Sequence, residues 1–194
     1  ELRDTYAEKG DIINNQLAFV GNSVTLRGYK DSAEFVTYYP FAPYHFQLLQ
    51  KIFESIRNVG ATGKHLSKGE RSLLDAFQSA ALTNAKRDSS SLVPLYDFYP
   101  SIESFLDTSV KRSIDQASEN TALIKEIDVP LLRALFLVRY IQEVLKPNID
   151  NLATLCLTEI DQDKLALKRN IQESLARLER ERLVSRNGDL WFFL

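Results

Sequence analysis

Apolar residues return every three or four positions along most of this chain, the period of a helix with one buried face. From Leu2 to Phe19 the positions Leu2, Tyr6, Ile13 and Leu17 fit that period. Gly10 weakens the middle, so the pattern predicts two short helices or one broken one. Residues 21–31 carry Gly21, Asn22 and Gly28 and read as a loop. Asp31 stands three positions before Glu34, a capping box that starts a short helix through Phe35. That helix ends near Tyr39-Pro40, because a residue before proline avoids helical dihedrals. Pro43 suits a first helical turn, and Phe46, Leu49, Phe53 and Ile56 continue the stripe to about Asn58. After a loop containing Gly60 and Gly63, Ser67 and Glu70 form a second capping box ahead of Leu73, Leu74, Phe77 and Ala81, which carries a helix to about Ala85.

The serines 89–91 read as a polar hinge, with Pro94 and Pro100 punctuating the aromatic stretch after it. Further on, Asp128 is placed to cap a helix with Pro130 in its first turn and Leu131, Leu135, Val138 and Ile141 on its apolar face, running to Val144. A turn at 148–150 leads into a short helix from Asn151 to Leu157. A third helix, from Asp161 or Asp163, stacks Leu167, Ile171, Leu175 and Leu178 on one stripe and turns Lys164, Lys168 and Arg169 away from it. The runs Leu183-Val184-Ser185 and Leu190-Trp191-Phe192-Phe193 flank Asn187-Gly188, a tight-hairpin signal. Three helices followed by a hairpin is the order of a winged helix. The fold class expected is therefore mainly α, with a helical bundle first and a winged-helix domain with a small β-hairpin wing last.

Composition adds few constraints. The 194 residues suit one or two domains, and 44% hydrophobic with 26% charged residues is ordinary globular usage rather than the signature of disorder. The division expected is a helical domain over 1–90, a connecting segment over 91–127 and a winged-helix domain over 128–194. A formal net charge of -2 gives no general pull toward nucleic acid or an anionic membrane, so any such contact must come from local patches. No apolar run approaches the ~20 residues that span a bilayer, and the single cysteine builds no intramolecular disulfide framework. The expectation is a cytoplasmic protein with no membrane partner. The chain contains no methionine, opens on Glu1-Leu2-Arg3-Asp4 and stops on Trp191-Phe192-Phe193-Leu194, as a piece of a longer chain would.

Candidate chemistry is sparse. Gly60-Ala61-Thr62-Gly63-Lys64-His65 has two residues between its glycines where a phosphate loop needs four, and His65 where that loop needs a hydroxyl for magnesium. An interhelical loop is the better reading. Two histidines, His45 and His65, and Cys156 give no spaced set of metal ligands. His45 reads as packed among aromatics, and Cys156 as a small buried side chain. No catalytic residue is identified. Arg71, in Gly69-Glu70-Arg71 at a helix start, has the permanent charge and five donors that suit a γ-phosphate, against the plainer reading of a solvated surface arginine. Residues 161–189 hold seven basic side chains (Lys164, Lys168, Arg169, Arg177, Arg180, Arg182, Arg186) and six acidic ones (Asp161, Asp163, Glu173, Glu179, Glu181, Asp189). The local net of +1 is weak support for binding duplex DNA, which rests on phosphate neutralisation. Lys164, Lys168, Arg169 and Arg186 are the candidates for DNA or partner contact, and Glu173 with Arg177 is expected to form an i,i+4 pair.

Several long strings carry a resemblance. Tyr39-Pro40-Phe41-Ala42-Pro43-Tyr44-His45-Phe46-Gln47-Leu48-Leu49-Gln50 and the run from Gly60 to Ser72 closely resemble the BrxC family, the large P-loop ATPase of BREX phage-defence systems. The stretches 98–108, 135–140 and 185–189 match in the same order. The family's Walker A and Walker B segments have no counterpart here. The resemblance implies an internal segment after the core of an AAA+-like ATPase: a helical lid, then a winged helix. It implies a sensor-2-like, ATP-sensing role for Arg71, with ATP and magnesium held only in the intact protein and no cofactor in this segment alone. It also implies other BREX proteins, double-stranded DNA or a homo-oligomer of the intact ATPase as partners.

Overall fold

In the computed structural model, which describes residues 1–22, 24–59, 69–123 and 125–194, helix α1 runs unbroken from Leu2 to Gln16. Gly10 does not divide it. A Cβ there would stand 3.1–3.3 Å from ring atoms of Tyr6, so the glycine makes room for a ring packed on the helix. That ring in turn lies 5.3 Å from Phe35 of α2 (Ser32–Tyr38), whose first turn is capped by Asp31 accepting from the Glu34 N–H. Asn14 of α1 joins the two helices through the Tyr29 peptide, accepting from its N–H and donating to its carbonyl, both at 2.9 Å.

Helices α3 (Pro43–Val59) and α4 (Gly69–Asn84) follow. They meet through Phe46 and Phe77, whose rings stack 4.5 Å apart. The expected Gly60–His65 loop and the Ser67 cap lie outside the described residues.

The aromatic stretch expected within the connecting segment 91–127 is core. It forms a 3-10 turn (Leu95–Phe98) and a short helix α5 (Tyr99–Glu103), with Leu92, Val93, Leu95, Phe98, Tyr99 and Ile102 buried. Prolines there shape a packed segment rather than interrupt one. Helix α6 (Thr108–Glu119) was not anticipated; its Ile114 and Ala117 are buried.

Helix α7 (Asp128–Val138) ends earlier than its apolar stripe suggests. Ile141 and Leu145 stay buried, but in tight turns held by bonds such as Ile141 N–H to the Val138 carbonyl. Asn148 rather than Asn151 begins α8 (Ile149–Leu155), its side chain accepting from the Asn151 N–H. Asp163 caps α9 (Lys164–Arg180) by accepting from the Ala166 N–H. The chain leaves α9 with Arg182 at φ 59°, while the Leu183 N–H reaches the Leu178 carbonyl and the Arg182 N–H that of Glu179. These two bonds are a Schellman cap, with arginine where glycine usually stands.

Strands β1 (Val184–Asn187) and β2 (Leu190–Phe193) pair antiparallel, Val184 opposite Phe193 and Asn187 opposite Leu190. The turn therefore centres on Gly188-Asp189, one residue beyond the expected Asn187-Gly188. Only Gly188 of the three takes a positive φ, 63°, as a Gly-X turn of type II′ requires. The Trp191 N–H donates to the Pro147 carbonyl, and the Phe193 ring packs 5.2 Å from Phe136, which seats the hairpin against α7 and the start of α8. The whole is mainly helical with one small sheet among the described residues. Its buried apolar side chains form one cluster that includes Ile13, Leu49 and Phe98 as well as Leu135 and Ile171.

Candidate functional site

The candidate surface is assembled by α8, α9 and the hairpin, and the first question is which expected cations it leaves available. Lys164, in the first turn of α9, is half-buried and donates to the Gln16 carbonyl at 2.6 Å and to Thr154 Oγ1 at 2.8 Å. Gln16 is the last residue of α1, so the ammonium caps the negative end of that helix from 148 residues away in sequence. Burial, reinforced by the neighbouring Lys168, pulls the Lys164 pKa down to about 8, with Asp150 opposing. Lys168 is itself bound to Asp150, Nζ to Oδ1 at 2.6 Å.

Arg169 and Arg186 differ from these. Arg169 is exposed and makes no hydrogen bond or ion pair among the described residues. Arg186 is exposed on β1; its Nε donates to the Gly188 carbonyl at 2.6 Å and its guanidinium lies 5.4 Å from the centre of the Trp191 ring. A ring contact and one hydrogen bond from Nε fix its direction, and its terminal nitrogens make no hydrogen bond among the described residues. Arg71 lies in the first turn of α4, and its side chain falls outside the described residues.

A buried ionic lock between α7 and α9 escaped the sequence reading. Asp128 is fully buried and accepts from Arg177 Nε at 2.9 Å and Nη2 at 2.8 Å, from Ser174 Oγ at 2.6 Å and from the Lys125 N–H at 3.2 Å. Burial pushes its pKa up, but the Arg177, Ser174 and Lys125 bonds prevail and hold the carboxyl below its ordinary value. Asp128 is thus the first residue of α7, bound across to α9, rather than its N-cap. Arg177 is bound to Asp128 and not to Glu173 as expected. The one available signal was Ser174, a hydroxyl set in an otherwise apolar stripe with Arg177 one turn on.

His45 is buried beside Phe41, Tyr44 and Phe98, with the Ala42 N–H donating to its Nδ1 at 2.9 Å. Burial lowers its pKa to about 3, so the ring is neutral. Burial raises the Cys156 thiol to about 12, which removes its nucleophilic form at physiological pH. His65 lies outside the described residues. Among those described, no three His, Cys, Asp or Glu side chains are grouped to hold a metal, and no helix is long and apolar enough to cross a membrane.

Among the described residues, Lys164, Lys168 and Arg177 are held in joints between elements, while Arg169, Arg180, Arg182 and Arg186 are exposed without an ion pair. No family model matches the chain, and no solved structure matches it.

Proposed function

We propose that these residues are a regulatory and interaction segment of a BREX P-loop ATPase, a helical lid followed by a winged helix, which couples ATP state in the ATPase core to engagement of a partner protein or DNA in phage defence. On this reading α1–α4 are the lid, α7–α9 with the β1–β2 hairpin are the winged helix, and Arg71 at the start of α4 is the ATP-sensing group. Hydrolysis belongs to the intact ATPase with its own ATP and magnesium, and this segment supplies none of it.

The observation that carries the reading is the use made of the basic residues of α9. Lys164 joins α9 to the end of α1, and Lys168 is spent on Asp150, so the charge of this helix serves internal joints more than an outer surface. A segment that transmits motion needs such joints. One that grips duplex DNA needs the same cations free.

The rival reading, a DNA-binding winged-helix module acting mainly through phosphate contacts, needs more of them than Arg169 and Arg186 supply. Fluorescence anisotropy of a labelled duplex titrated with this chain, between 50 and 200 mM salt, separates the two. With two phosphates neutralised, log Kobs falls with log[salt] at a slope of about -2, and affinity stays in the non-specific range of about 10⁻⁴ to 10⁻⁶ M. Tight, sequence-selective binding with a slope several-fold steeper would promote the rival.

A further inference from the structure

The stretch after α1 crosses α8 as a strap held mainly through its backbone, with its ends also tied by side chains: Gln16 Nε2 donates to the Gln162 carbonyl at 2.7 Å and Asn22 Oδ1 accepts from the Lys146 N–H at 2.7 Å. Lys164 Nζ donates to the Gln16 carbonyl, Thr154 Oγ1 to the Ala18 carbonyl at 2.8 Å, and Asn151 Nδ2 to the Val20 carbonyl at 2.9 Å. Asn151 Oδ1 also accepts from the Val20 N–H at 2.8 Å, so one amide side chain pairs with both polar groups of a single residue, as a neighbouring strand would. The bonded carbonyls are those of residues 16, 18 and 20, the first at the end of α1 and the other two in the stretch that follows it.

The side chains tell the complementary story. Ala18 and Val20 are exposed, Val20 to 48%, whereas Leu17 before them is buried and Phe19 between them packs edge-on against Tyr44 of α3 at 4.9 Å. Gly21, at φ 74°, turns the chain off α8 where the strap ends. Asn151 is completely buried, although its side-chain partners are the strap and the Lys146 carbonyl. The strap thus faces two ways, with apolar side chains toward the α3 side and carbonyls toward α8 and α9.

We propose that residues 16–22 are a latch: Asn151, Thr154 and Lys164 form a clasp that reads the strap's backbone, and opening it frees the strap from α8 and α9 while α7–α9 stay folded. A main-chain clasp tolerates changes in the strap's outward side chains and is sensitive to changes in the clasp itself. The latch is thereby a discrete two-state joint between the N-terminal helices and the last three, whichever partner the molecule engages.

Hydrogen exchange of the whole chain, followed by peptide, tests this with three variants. Asn151→Ala is expected to raise exchange at least about tenfold across the whole 16–22 segment, with α7 and α9 changed less than about threefold. The paired substitution Thr154→Val with Lys164→Met, which spares Asn151, gives the same regional pattern. Val20→Thr leaves the segment as protected as before. Faster exchange at Val20 alone overturns the latch, as does an equal rise through α7 and α9 or loss of the fold in either clasp variant. Release of the strap by Val20→Thr overturns the main-chain reading.

Discussion

Replacing His45 with asparagine removes a buried group that titrates, while keeping an acceptor where Nδ1 now receives the Ala42 N–H. The native ring stays neutral down to about pH 3, whereas in the unfolded chain it takes a proton near the ordinary 6.5. The unfolded state therefore binds the extra proton at every pH between those values. The contribution to stability is intact above about 6.5 and is lost progressively as pH falls toward 3. Between pH 7 and pH 5 the neutral fraction of the unfolded-state ring falls about 25-fold, and RT ln of that factor is a loss of about 2 kcal/mol. The ring atoms removed by His45→Asn leave a cavity, but its cost is the same at both pH values and cancels in the difference. Urea unfolding followed by the fluorescence of Trp191, the only tryptophan, gives the four free energies needed. The variant is expected to lose about 2 kcal/mol less than the parent chain between pH 7 and pH 5. Equal losses in the two proteins would refute a neutral buried His45.

Two further substitutions test the joints of the last three helices. Asp128→Ala strands Arg177 without its carboxylate and is expected to cost about 3–5 kcal/mol in urea unfolding at pH 7, whereas a surface ion pair would cost under about 1. Arg182→Gly relieves a left-handed arginine at the end of α9 and is expected to stabilise by up to about 1 kcal/mol, read as a raised urea midpoint at unchanged slope.

The apolar stripes made the helical character legible, and the runs around residues 187–188 located the hairpin. Its turn centre did not follow, because Asn-Gly and Gly-Asp are both good turn pairs and only cross-strand pairing chose between them. Gly10 misled for a related reason: its cost to a helix is local, and the Tyr6 ring that uses the space is visible only in three dimensions. Around Pro94 and Pro100 the prolines read as punctuation, whereas Leu95, Phe98 and Tyr99 beside them are buried core. The candidate surface was the least legible part. Charge counting found Lys164 and Lys168 but not their partners, since Gln16 lies at the far end of the chain and Asp150 on a different helix. The lock at Asp128 likewise depends on side chains 46 and 49 residues away.

On the proposed reading this chain answers to ATP as part of a larger ATPase, and the steady-state ATP turnover of that ATPase carrying Arg71→Ala tests it most directly. An arginine that senses a γ-phosphate is needed for turnover and not for the fold of α4, so turnover is expected to fall tenfold or more at unchanged urea stability. Arg71→Lys should recover only part of it, because an ammonium lacks the guanidinium fork. Turnover equal to that of the unsubstituted ATPase in Arg71→Ala would contradict the account and leave Arg71 a surface residue.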